Sequence, residues 1–142
     1  MATEKTKQEA LRWLRAARDD LKTAAILHDA AQYAHSCFHA QQAAEKALKS
    51  ILYHHDQDPW GHSAAKLLDE LQRQGFLSLP KDATLHDRAL VLDRFYVPTL
   101  YPNGLPDLSP DEAYSSADSS AAVGYAREFL TLAEEALGQA SG

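Results

Sequence analysis

The stretch FHAQQAAEKALKS, Phe38 to Ser50, reads as helix throughout, yet it sets Gln41, Gln42, Glu45 and Lys46 among six apolar residues. Over residues 31–56, advancing 100° per residue, Ala34, Cys37, Phe38, Ala40, Ala43, Ala44, Ala47, Leu48, Ile51 and Leu52 spread over an arc of roughly 220°, against the ~100° stripe that one packed face requires. A helix of this kind is covered from two sides. One part of the arc is large (Phe38, Leu48, Leu52) and the other small (Ala40, Ala43, Ala47), and small residues let another helix approach backbone to backbone. The expectation is a central bundle helix whose small side, formed by Cys37, Ala40, Ala43, Ala44, Ala47 and Ile51, pairs with a second copy of the chain. The narrow remainder carries His35, His39, Gln42, Lys46 and Lys49 and is expected to face water or a ligand.

Outward from that helix, Ala10, Leu14, Ala17, Leu21 and Ala24 mark one face of a helix over about residues 4–29, with charges interleaved on its wet side. DQDPWG, Asp56 to Gly61, breaks the chain, and His62 with Ser63 opens a short helix from Ala64 to about Gln74 with Leu67, Leu68 and Leu71 inward. A further helix is expected from Asp82 to Val97, stopped by Pro98. PTLYPNGLPDLSP, Pro98 to Pro110, is too rich in proline for a regular element and too apolar for a loose linker, so it reads as an ordered strap on the bundle. Ser109 with Glu112, and then Ser115 with Ser116, offer two starts for the last helix, whose core face is Ala122, Ala126, Phe129, Leu130, Ala133 and Leu137. No segment alternates with period two for long enough to be a strand. The chain is therefore read as one all-α domain, an up-and-down bundle of four or five helices with the strap before the last.

The chain has 142 residues, a length that buries a core without staples, and a single cysteine, Cys37, which suits a reducing compartment and hence the cytoplasm. No run approaches the ~18 apolar residues of a membrane span, and the charged MATEKTKQEA does not read as a signal peptide. Net charge is −6, with 8 Lys/Arg against 6 Asp/Glu in residues 1–50 and 6 against 14 in residues 51–142. An acidic chain has no general claim on a phosphate backbone, so DNA is not an expected partner.

The ordered segments then resemble a family. CFHAQQAAEKALKSIL (Cys37 to Leu52), GHSAAKLL (Gly61 to Leu68) and FYVPTLYPNGLP (Phe95 to Pro106) are similar to HEPN domains, small prokaryotic helical proteins related to the C-terminal bundle of some aminoglycoside nucleotidyltransferases. Trp13, Ala17, Asp20, Leu21 and Ala24 look like that family's first helix. The resemblance implies a homodimeric helical bundle, paired with a small nucleotidyltransferase of the toxin–antitoxin sort, with nucleotide or RNA as ligand. Many members are ribonucleases with an Arg and a His separated by four to six residues, the Arg to hold phosphate and the His to move a proton. None of the seven arginines here is so followed; after Arg94 the three positions are Thr99, Leu100 and Tyr101. Leu100 also stands where the family's strap often has Arg.

The preferred reading is a non-catalytic binding module without a cofactor, using Gln42, Glu45, Lys46, Lys49, Arg94, Tyr96 and Tyr101. The alternatives are a ribonuclease toxin built on Arg94 with His62 or His86, and a purely structural subunit. His35 and His39, four apart, could share a metal, but no third ligand accompanies them, and no metal is expected. Glu45 and Lys49 read as an ordinary i,i+4 ion pair. Because Glu45 falls inside the apolar arc, it is expected to need a cation from another helix, such as Arg88 or Arg94. Trp13 and Trp60 read as packing residues.

Overall fold

The structure, a computed structural model, describes residues 3–79, 84–96 and 107–140. Among them are six helices and no strand: α1 (Glu4–Asp29), α2 (Tyr33–His54), α3 (Ala64–Arg73), α4 (Thr84–Asp93), α5 (Pro110–Ala113) and α6 (Ser116–Leu137). The fold is an all-α bundle.

α1, α3, α5 and α6 each begin where a side chain satisfies free N–H groups. Thr3 caps α1 by accepting from the Thr6 N–H at 3.2 Å. Ser63 caps α3 by accepting from the Lys66 N–H at 3.1 Å. Both serine starts proposed for the last helix are used. Glu112 bonds the Ser109 N–H at 3.2 Å and closes the single turn of α5, while Ser115 and Asp118 form a reciprocal box at the start of α6. Gly138, in the left-handed region at φ 68°, ends α6.

The core is one cluster, and α2 is its axle, packing against each of the other five helices. α1 and α2 form an antiparallel hairpin joined by residues 30–32, with the Ser36 hydroxyl donating to the Ala24 carbonyl across it at 2.7 Å. α6 lies against both and is fastened to α1 at two ends: Arg18 reaches Glu134 at 2.7 Å, and His28 bonds Ser119. Phe129, fully buried, is the largest side chain of this core.

This arrangement corrects the expected seam. Cys37, Ala40, Ala43, Ala44, Ala47 and Ile51 are each 0% exposed within a single chain, closed by its own helices, so they offer a second copy no surface. The wide arc on α2 was rightly read as two-sided cover, but both sides are supplied from within. α4 also ends earlier than expected, at Asp93. The N–H groups of Arg94, Phe95 and Tyr96 bond carbonyls three residues back, the tightened last turn of a helix that stops. Of the expected strap, Pro98 to Pro110, the part up to residue 106, with Leu100 and Tyr101, lies outside the described residues, and its end at Pro110 is the first residue of α5.

Because Ala43 is fully buried at the core of the bundle, Ala43→Leu should lower stability by about 1–3 kcal/mol through overpacking. The measurement is a urea midpoint that falls while the slope is unchanged.

Candidate functional site

Two charged clusters lie along the polar edge of α2. In the first, Glu45 and Lys49 sit one turn apart, 3% and 7% exposed, with Lys49 Nζ 3.1 Å from Glu45 Oε2. The other carboxylate oxygen, Oε1, is 3.2 Å from Nδ1 of His62, a residue of the loop before α3. A carboxylate only accepts, so Nδ1 carries the proton and Nε2 points away from this contact. His62 is held at a second point, since its carbonyl accepts from Gln41 Nε2 at 2.8 Å, and Gln41 Oε1 in turn accepts from Gln42 at 2.7 Å. Lys49 also lies over the Trp13 ring, 5.6 Å from its centroid, and Trp13 stacks on Tyr53. The cation tied to Glu45 is therefore its own helix neighbour, with His62 from the next loop. Arg88 instead bonds Glu128 and covers Tyr125, and Arg94 is exposed with no ion pair among the described residues.

The second cluster joins α1 to α2. Asp20 receives Lys46 at 2.6 Å and His39 at 3.4 Å. The Lys46 contact has poor angles for a hydrogen bond, and charge attraction carries it. Burial pushes the Asp20 carboxyl up, but the His39 hydrogen bond and the adjacent Lys46 ammonium outweigh that and hold it below the usual aspartate value. Both strip lysines thus have a carboxylate already, which reduces their reach toward a phosphate. His39 meets Asp20 through Nδ1, and no group of three or more His, Cys, Asp or Glu side chains able to hold a metal with His35 and His39 occurs among the described residues.

Aromatic rings connect the first cluster to the end of α4. His62 stacks on Tyr96 with centroids 4.8 Å apart, and Tyr96 stacks on Phe38 at 6.2 Å. The His62 side chain, 60% exposed, forms the open end of this ladder. Its placement depends on Asp93, whose carboxylate accepts from the Ser63 hydroxyl at 2.6 Å and from the N–H groups of Ala64 at 2.6 Å and Ala65 at 3.2 Å. An anion at the start of α3 is well placed against the helix dipole. It also locks the turn carrying Arg94 and Tyr96 to the loop carrying His62. Cys37, by contrast, is inert: burial first, and then the negative charge of Asp118, push its thiol up to about 12.

The family model for the HEPN domain matches residues 10–136, nearly the whole of this bundle. The chain belongs to the HEPN domain family. Solved relatives agree with it in fold. It is 36% identical to TT1696 from Thermus thermophilus, covering 89% of this chain and 97% of that one with a TM-score of 0.83. A HEPN domain protein from Thermotoga maritima, tm0613, is 32% identical over 91% and 99% of the two chains, with a TM-score of 0.71. ST0689, an archaeal HEPN homologue, is 28% identical over 90% and 97%, with a TM-score of 0.73. Among curated proteins there is no match.

Within this HEPN bundle, Gln42, Glu45 and Lys49 gather around His62, Lys46 stands apart on Asp20, and Tyr96 joins the first group through the imidazole. Tyr101 lies outside the described residues. Sequence reading missed Asp93 as the α3 clamp and Asp20 as the Lys46 partner. No periodicity could have found the first, because its partners are about thirty residues away.

Two measurements check this wiring. Glu45→Ala strands a buried ammonium and should cost about 3–5 kcal/mol, whereas Glu45→Ala with Lys49→Met should recover most of it; urea unfolding of both variants decides. For Asp20, whose folded value is depressed, the stabilising contribution is full above the ordinary value of about 3.9 and is lost as pH falls through the lower folded value. Asp20→Asn should therefore be the less stable protein at neutral pH, with the gap to the parent closing below about pH 4.

Proposed function

We propose that this HEPN protein is a cytoplasmic, non-catalytic binding module that works as a homodimer, pairs with a small nucleotidyltransferase in a toxin–antitoxin arrangement, and engages a nucleotide. The observation that carries the ligand part is the ring ladder Phe38–Tyr96–His62, which ends in an exposed imidazole beside a turn whose Arg94 has no ion pair among the described residues. An open ring face stacks a base, and a guanidinium pairs with phosphate. The site is thus centred on His62, Tyr96 and Arg94, with Glu45 and Lys49 as its support and Lys46 at its margin. In the sequence, no Arg is followed by His at the ribonuclease spacing, which favours binding over cleavage.

One feature favours a second reading, a metal-independent ribonuclease. Glu45 orients an exposed His62 in the way a carboxylate fixes the tautomer of a general base. His86, the other candidate, meets the exposed Asp69 at 3.5 Å on a different helix pair and lacks such support. Purified protein incubated with total RNA in EDTA separates the two. The binding module leaves RNA intact, binds nucleoside phosphates, and loses about tenfold in affinity with Arg94→Ala, the loss of one charge-assisted contact. Cleavage abolished by both Arg94→Ala and His62→Ala would replace it with the nuclease. A short nucleotidyltransferase reading frame beside this one on the chromosome is the expected sign of the partner.

A further inference from the structure

Trp60, read as a packing residue, is 88% exposed. An indole has about 150–250 Å² to bury, so leaving it in water forgoes a large apolar gain. Nor is it on a loose tether. The loop is pinned by the Gln57 N–H to the Leu52 carbonyl at 2.9 Å, by the ring of Pro59, and by Gly61 at φ 91°, a conformation glycine adopts freely. Beside the indole runs a groove of about 570 Å³, with Leu52 and Leu67 among its lining. The loop supplies one wall, including Asp58, and α3 supplies the other, including Lys66, Glu70 and Arg73. Glu70 and Arg73 pair with each other; Asp58 and Lys66 make no ion pair among the described residues.

We propose that this groove is the docking surface for a second copy of the chain, related by a two-fold axis. In this arrangement Trp60 of each copy enters the groove of the other, and Asp58 of each meets Lys66 of the partner subunit. The inference rests on the homodimer reading above and names its surface. The argument is one of complementarity. A two-fold interface brings the same patch against itself, so it must be its own match. A patch with an acid on one wall and a base on the other, neither paired among the described residues, satisfies that condition, because the exchange sets each against its opposite. The charges of the groove cancel, which fits poorly with a polyanion and well with a neutral, self-paired seam. An apolar centre holding a tryptophan within a charged rim is also the usual anatomy of a protein interface. The groove has thirteen lining residues, against the 20–30 per side of a standard interface, so the pairing is expected to be weak and to depend on concentration.

The test is the mass of the native protein by sedimentation equilibrium from micromolar to millimolar concentration. The parent should pass from one chain to two, and Trp60→Ala, on an exposed loop and verified as folded by circular dichroism, should weaken association about thirtyfold. Asp58→Lys and Lys66→Glu should each weaken it about tenfold. An equimolar mixture of those two variants should associate again, since the two changed residues then face each other with opposite charges and the second pair is unchanged. A parent that stays a single chain throughout overturns both this proposal and the homodimer reading. A parent that dimerises equally well with Trp60→Ala and with either reversal overturns this surface and leaves the homodimer standing. Reversals that weaken pairing without rescue in the mixture overturn the two-fold pairing of Asp58 with Lys66.

Discussion

The bundle depends on how closely backbones approach α2. Ala40, Ala43, Ala44 and Ala47 add little more than a methyl each, so α1 and α6 can both settle closely on the same helix while Leu48, Ile51 and Leu52 fill the remaining space. A larger side chain at any of these alanines forces a neighbour outward, and because α2 touches every other helix, that displacement has nowhere local to stop. The axle is narrow by composition, and that is why a chain of this length encloses it on most of its circumference.

This enclosure also determines what the polar residues of α2 must do. A helix surrounded on most of its circumference has little wet surface, so Gln41, Glu45 and Lys49 are drawn under cover with the alanines. Covered charge is tolerable only when paired and hydrogen-bonded. Glu45 meets this condition with Lys49 on its own helix and His62 from the following loop, and Gln41 meets it through the His62 carbonyl. The same bonds that satisfy these groups therefore position His62. Along the same helix, Asp20, Lys46 and His39 do the equivalent work between α1 and α2.

How much of this was legible in the sequence depended on range. α1 follows its periodicity over its full length, and the two serine starts before α6 are both real, because caps and helix faces are decided within a few residues. The arc on α2 correctly told how much of the helix is covered, but a hydrophobic pattern cannot tell whose helices cover it. That is why the six small-side residues were assigned to a second copy when α1 and α6 already closed them. Lys49 was legible as the partner of Glu45 from its i,i+4 spacing; the burial that gives the pair its weight was not, since it comes from the tertiary packing. Trp60 failed in the other direction: apolar character predicts burial on average, and nothing local distinguishes an indole meant for the core from one left outside.

Asp93 shows how a long-range contact turns these parts into a site. By ending α4 and capping α3 with one carboxylate, it brings the turn with Arg94 and Tyr96 against the loop with His62. Glu45 then fixes the same loop from below. His62 is consequently held by three independent contacts, from its ring nitrogen, its ring face and its carbonyl, although its side chain is largely in water. An exposed side chain ordinarily samples many rotamers, and this one has lost that freedom before any ligand arrives. The ordering cost of that side chain is already met within the bundle, which is the physical sense in which the end of the ladder is preorganised.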